Sequence, residues 1–328
     1  MADTFATGAT GGTSAAGATA DSKAADNPSG NVGNDNVAFL GIGSMGAPMA
    51  LQLVKAGFNV TVYNRSADKC APLVAAGARM AGSAAEAVTP GGIVLTMLSN
   101  DAVLTELMTT QGVAARLGNG LHVSLSTIAA DTARTLATLQ HDQGGLYLAA
   151  PVFGRPAAAA EGKLWVCQSG AAAAKALARP LLAAIGQSVA DFGDDPGAAN
   201  VVKLCGNFMI LSAVEAMSEA LTLAEKSGID RTALTSFFGQ SIFACPIYQN
   251  YGRILAGRTY APAGFALALG MKDVKLVQAG AEKAGVPMPL ANLLHERLLG
   301  SIAKGRGALD WTAIELTVAE SAGMTPVH

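Results

Sequence analysis

The sequence predicts an α/β domain built on a mostly parallel sheet, followed by an all-α domain, and three observations carry that expectation. Short apolar runs alternate with helical stretches from Val37 to about residue 196. The first run ends in a glycine-punctuated turn, Gly41-Ile42-Gly43-Ser44-Met45-Gly46, that leads into an apolar-periodic segment reaching Lys55. From Gly197 onward the periodicity is helical almost throughout. Strands separated by helices imply a parallel sheet covered on both faces.

The elements follow in order. Residues 1–36 are Ala, Gly, Thr, Ser, Asp and Asn with almost no large apolar side chain, a composition that cannot offset the entropy of ordering and reads as a disordered tail. It lacks the basic start and apolar core of a secretion signal, and a cytoplasmic protein is expected. Strands are expected at Val37–Leu40, Val60–Tyr63, Ile93–Leu98, His122–Leu125, Leu146–Val152 and Leu164–Gln168. Ser83 and Glu86 form a capping-box pattern, and further helices open near Asp101 and Asp131. The stretch from Ala198 to about Lys226 reads as one long apolar helix. Breaks are expected near Gly228, Gly239, Pro246, Pro262, Gly285 to Pro289 and Gly305. The domains expected are thus a tail over 1–36, a sheet domain over 37–196 and a helical domain over 197–328.

Composition limits the function classes. Of 328 residues only 14% are charged, against roughly 25% in an average soluble domain. A net charge of −2 offers neither a nucleic-acid footprint nor a polybasic membrane patch. Although 51% of residues are hydrophobic, no run of ~18 consecutive apolar residues occurs, so a membrane-spanning helix is not expected. Cys70, Cys167, Cys205 and Cys245 are scattered without a CxxC pair, so no metal site and no disulfide framework is expected.

The glycine turn follows a strand and opens a helix inside a strand–helix–strand unit, the context that makes Gly-x-Gly-x-x-Gly a Rossmann-type dinucleotide motif. The first glycine permits the sharp turn and the second the close approach of a pyrophosphate. The third allows helix and strand to pack closely, and the helix N-terminus supplies N–H donors. About twenty residues on, where an NAD site carries an acid, the chain reads Asn64-Arg65-Ser66. Arginine offers a planar fork to a 2′-phosphate, so NADPH is expected in preference to NADH. A solvated turn with an incidental arginine has the same sequence.

Hydride transfer requires a proton donor or acceptor for the substrate heteroatom. His122, His141, His295 and His328 form no constellation, and no Tyr-x-x-x-Lys pair is present. Lys203 and Asn207 share a face at the start of the long helix, where the two domains should meet. A lysine desolvated there would have a lowered pKa. A snorkelling lysine at a helix start fits the same spacing.

Taken together, Gly41 to Gly46 with Met45, Leu125-Ser126-Thr127, Ala149 to Arg155, Gly197-x-Ala199-x-x-x-Lys203-x-x-x-Asn207, and Phe265 with Lys272-Asp273 resemble, in order, the motifs of the β-hydroxyacid dehydrogenase family. The resemblance covers residues 37 to about 320 and extends more distantly to the imine reductases. It implies an oxidoreductase that moves hydride between NADPH and a small semialdehyde or hydroxyacid. Lys203 would be the general acid/base, supported by Asn207 and Ser126, with substrate held at Phe153, Gly154 and Arg155. Cofactor contacts would come from Gly41, Ile42, Gly43, Ser44, Met45, Gly46, Asn64, Arg65, Ser66, Met97, Leu98, Thr127, Phe265 and Lys272. The family's homodimers or homotetramers are implied as well. Three positions depart from its pattern. Phe153 replaces a serine and Arg155 a glycine of the carboxylate cradle, and Ala149 replaces an acid. An arginine could bind a carboxylate bidentately, whereas a phenylalanine favours an apolar substrate or an imine. A non-catalytic cofactor-binding module is the remaining alternative.

Overall fold

The structure, a computed structural model, describes residues 36–325. The expected tail lies outside the described residues except for Asn36, which pairs with Asn59 and so belongs to the first strand. The strands are β1 (Asn36–Leu40), β2 (Asn59–Tyr63), β3 (Arg79–Met80), β4 (Ile93–Thr96), β5 (Leu121–Ser124), β6 (Leu146–Ala149), β7 (Val152–Phe153), β8 (Leu164–Gly170) and β9 (Gly186–Asp191). Between them run α1 (Gly46–Lys55), α2 (Ala71–Ala75), α3 (Ala84–Ala87), α4 (Asp101–Met108), α5 (Val113–Leu117), α6 (Ala130–Asp142), α7 (Pro156–Ala160) and α8 (Ala172–Ile185). The helical part comprises α9 (Ala198–Lys226), α10 (Arg231–Gln240), α11 (Pro246–Gly257), α12 (Leu267–Ala284), α13 (Pro289–Ala303) and α14 (Ile314–Ser321).

The sheet order is β3-β2-β1-β4-β5-β6-β8-β7, with β9 on β8. Strands β1 to β6 are parallel in the doubly wound order of a Rossmann domain, whereas β8 runs antiparallel to β6 and β7. Each face is buried by its own apolar set. Phe39, Leu95, Val123 and Leu148 lie on one side; Leu40, Val94 and Tyr147 lie on the other. This two-sided burial explains why the strands read as unbroken apolar runs. The register aligns Leu40 with Tyr63 and Thr96, Thr96 with Ser124, and Ser124 with Ala149. Gly41, Asn64, Met97, Leu125 and Ala150 therefore leave the sheet along one edge.

Local chemistry moves several expected boundaries. The run Leu146–Val152 is two strands rather than one, because Pro151 interrupts it with no N–H to donate and the chain turns back to pair with β8. Ser83 Oγ accepts from the Glu86 amide at 3.3 Å, but the Glu86 carboxylate takes the Gly82 amide at 3.1 Å. The break expected near Gly239 and Pro246 falls over 241–245, with Gly239 in the last turn of α10 and Pro246 opening α11. His122 is fully buried with Nε2 2.9 Å from Thr96 Oγ1, and desolvation lowers its pKa to about 3, which makes it a neutral core residue.

Helix α9 packs against α11, α12, α13 and α14 and carries the core of the helical part. Its 29 residues include a window of mean hydropathy 1.4, long and apolar enough to cross a bilayer, although no uninterrupted apolar run signals it. Its inward side holds Lys203, Asn207 and Glu215 among apolar residues, as in a core helix. At its far end the fully buried Glu315 accepts from the Tyr260 hydroxyl at 2.5 Å and pairs with Arg231 at 2.8 Å and Arg258 at 3.2 Å. Removing one member of such a buried set leaves uncompensated charge. Glu315→Ala is expected to destabilise the protein by ~3–5 kcal/mol, read as a lowered thermal midpoint; an unchanged midpoint would dismiss the network as a stabilising element.

Candidate active site

The glycine turn is shaped by two close approaches and one opening. Gly41 has φ +102°, and a Cβ there would lie 2.3 Å from the Met97 carbonyl oxygen. A Cβ on Gly46 would lie 1.9 Å from the Gly41 oxygen. At Gly43 a Cβ would meet nothing within 4 Å, and Gly43 and Ser44 are exposed. Space therefore stands open beside the N-terminus of α1, where the Ala47 amide donates to the Gly43 carbonyl at 3.0 Å and Pro48 has no N–H, so the loop amides before the helix face the opening. That cradle fits a dinucleotide pyrophosphate.

At the end of β2 the three expected residues divide in role. Asn64 braces the turn: its Oδ1 accepts from the Ile42 amide at 3.0 Å and its Nδ2 donates to the Ser66 carbonyl at 2.9 Å. Both ends of that amide are thus engaged with backbone. Arg65 and Ser66 are exposed at this corner, as are Asp68 and Lys69 just beyond them. Met97 and Leu98 sit over Gly41, and the Leu98 amide donates to Ser126 Oγ at 2.9 Å.

Lys203, Asn207 and Asp273 form the centre of the site. Lys203 is 8% exposed and donates from Nζ to Asn207 Oδ1 at 2.8 Å. Asn207 Nδ2 in turn donates to Asp273 Oδ2 at 2.6 Å. Lys272 pairs with Asp273 at 2.9 Å and donates to the Thr127 carbonyl, which joins α12 to the end of β5. Burial pulls the Lys203 pKa from 10.5 down to about 8, with Asp273 opposing and Lys272 adding to the shift. The Phe153 ring centroid lies 4.1 Å from Lys203 Nζ, a cation–π contact that favours the ammonium.

The remaining expected residues lie at this edge but are engaged in other ways. Ser126 is fully buried; its Oγ takes the Leu98 amide and donates to the Thr96 carbonyl at 3.4 Å, so it supports the β4 loop rather than presenting a free hydroxyl. Arg155, expected as a carboxylate receptor, is bound instead to Asp310, Nη2 to Oδ2 at 2.6 Å. Asp310 is 1% exposed and also accepts from the Gly264 and Phe265 amides at 2.9 and 3.2 Å. Gly154 has φ +139°, and a side chain there would collide with Leu164. Phe265 stands edge-on to Trp311 at 4.8 Å.

Sequence reasoning gave no role to Asp273, Asp310 or Gly206. Asp273 adjoins Lys272 and was legible as its neighbour. A glycine inside a helix, costing about 1 kcal/mol against alanine, was a signal that Gly206 makes room for something. The structure shows what it is: a Cβ on Gly206 would lie 2.3 Å from Phe153 Cζ.

Residues 36–193 match the family described as the NAD binding domain of 6-phosphogluconate dehydrogenase. Residues 197–316 match the NAD-binding domain of NADP-dependent 3-hydroxyisobutyrate dehydrogenase. An uncharacterized oxidoreductase of Bacillus subtilis, YfjR, is 39% identical over 280 residues, which are 85% of this chain and 98% of that protein. Glyoxylate/succinic semialdehyde reductase 1 of Arabidopsis thaliana is 31% identical over 85% of this chain and 96% of that protein. The crystal structure of 3-hydroxyisobutyrate dehydrogenase from Salmonella typhimurium superimposes with a TM-score of 0.78 at 27% identity, covering 86% of this chain and 99% of that one. A reductive aminase from Aspergillus terreus shares the fold, with a TM-score of 0.57 at 23% identity over 86% and 98% of the two chains. The chain binds a nicotinamide dinucleotide and belongs to the β-hydroxyacid dehydrogenase family of oxidoreductases.

Proposed function

We propose that this enzyme is an NADPH-dependent reductase of a small carbonyl compound, of the semialdehyde and hydroxyacid type, in which Lys203 is the general acid/base. The observation that carries the reading is a buried lysine, with a pKa lowered to about 8, held by one amide that is itself held by a carboxylate. A pKa near the working pH suits proton transfer in either direction. The backbone of Gly41 to Gly46 and the α1 N-terminus hold the pyrophosphate, and Arg65 with Ser66 holds the 2′-phosphate. Met97, Leu98, Thr127, Phe265 and Lys272 line the nicotinamide side. A bound nicotinamide supplies the hydride. Lys203 gives its proton to the carbonyl oxygen, and Asn207 fixes the direction of Nζ. Asp273 fixes Asn207. Imine reduction is the second reading, favoured by the Phe153 ring lying where a polar donor to a carboxylate is expected.

A second copy of the chain is proposed to cover one side of α9, where Val201, Met209 and Leu223 are 46%, 68% and 70% exposed on one helix face. A homodimer or homotetramer is the expected result in sedimentation velocity; a monomer at micromolar concentration would reject it.

NADPH consumption is the direct test, with succinic semialdehyde, glyoxylate, tartronate semialdehyde, an aromatic aldehyde and a cyclic imine, each repeated with NADH. Lys203→Ala is expected to lower kcat by ~10²–10⁴-fold while NADPH still binds. Because reduction uses the ammonium form, kcat/KM for reduction should fall as pH rises through about 8, and for alcohol oxidation it should rise. A pH-independent profile across that range would remove Lys203 from the proton path. Arg65→Ala should weaken NADPH binding by ~10-fold or more, since a charge-assisted hydrogen bond is lost, and leave NADH within about twofold. Equal losses would refute the 2′-phosphate assignment.

A further inference from the structure

Resting on the reductase reading above, we propose a substrate class for the site: carbonyl compounds that carry no carboxylate near the reacting carbon and that turn an apolar, preferably aromatic, substituent toward Phe153.

The first ground is the inventory of charges. A substrate carboxylate needs a hydroxyl with backbone amides, or an unmatched cation, to receive it, and Phe153 takes the place of the hydroxyl. Lys272 is paired with Asp273 and bonded to the Thr127 carbonyl. Arg155 is paired with Asp310, which is buried and whose Oδ1 also takes the Thr312 hydroxyl at 2.9 Å. Arg155 meets that carboxylate through Nη2, and although its buried Nη1 has no hydrogen-bond partner, an anion arriving there would share a charge that Asp310 already matches. Lys203 remains, and its proton is the one the reaction consumes. The Ser126 hydroxyl is already bonded on both sides.

The second ground is what surrounds the lysine. Its ammonium faces the Phe153 ring at 4.1 Å, and that ring lies on the bare backbone of α9 at Gly206. The seat is specific, since any side chain at 206 would meet the ring. Across the β7–β8 ladder Phe153 is paired with Trp165, which is 57% exposed on the same face of the sheet. Two residues along, the Arg155 guanidinium lies 5.5 Å from the Tyr251 ring centroid, and Tyr251 and Phe265 both contact Trp311. An aromatic face therefore lies directly against the Lys203 ammonium, and such a face favours apolar groups over hydrated anions.

The test compares substrates matched in all but charge: succinic semialdehyde against its methyl ester, and 4-carboxybenzaldehyde against benzaldehyde, each with saturating NADPH. The uncharged member of each pair is expected to have at least a 10-fold higher kcat/KM, with benzaldehyde ahead of the aliphatic ester. Phe153→Leu should keep the preference and Phe153→Ser should reduce it. Asp310→Asn, which frees Arg155, should raise kcat/KM for the charged members by about 10-fold in protein that still binds NADPH. Equal or reversed preference in the unmodified enzyme overturns the proposal and leaves the reductase reading standing. No NADPH oxidation with any of the four, in protein shown to bind NADPH by fluorescence, overturns the reductase reading and this proposal with it.

Discussion

The desolvation of one ammonium group constrains the rest of the site. Lys203 lies at the start of an apolar helix beneath the strand ends, where water cannot solvate its charge. The fold compensates with a chain of short contacts rather than with a carboxylate placed directly against it. Asn207 accepts from the lysine, Asp273 accepts from Asn207, and Lys272 balances Asp273. Because the carboxylate acts through an amide, the lysine loses part of its proton affinity without being locked into the charged state. A direct ion pair would have raised the pKa out of the useful range.

The same contacts connect the two halves of the enzyme. Lys272 reaches from α12 to the end of β5, and Arg155 reaches from the turn after β7 to the segment preceding α14. Both connections arise within a few residues of the reacting groups and both involve buried carboxylates. Exposed pairs such as Lys283 with Asp131 also cross between the halves, but solvent screens them and they contribute little. Rigidity is thus concentrated where the lysine must be positioned.

What the sequence made legible follows the range of each interaction. The glycine turn, the strand–helix alternation and the Lys203–Asn207 pair are local, since periodicity and i,i+4 spacing on one helix define them. The long-range partners were hidden. Asp273 meets Asn207 across 66 residues and Asp310 meets Arg155 across 155, so the state of each group depended on packing that no spacing rule encodes. Arg155 taken alone is an anion receptor; beside Asp310 it is a counter-ion. Asn64 changed meaning for the opposite reason, because its bonds to Ile42 and Ser66 are a local backbone brace that its position beside an arginine obscured. The strand break at Pro151 was written in the sequence but was masked by the apolar run around it.

The seat of Phe153 on Gly206 couples two positions 53 residues apart. The ring and the absent side chain occupy the same space, so the two positions cannot change independently. With a side chain at 206 the Phe153 ring could not keep this seat and would have to turn elsewhere. With glycine at 206 and a small residue at 153 the site would hold an unfilled notch beside Lys203, and such a notch costs stability.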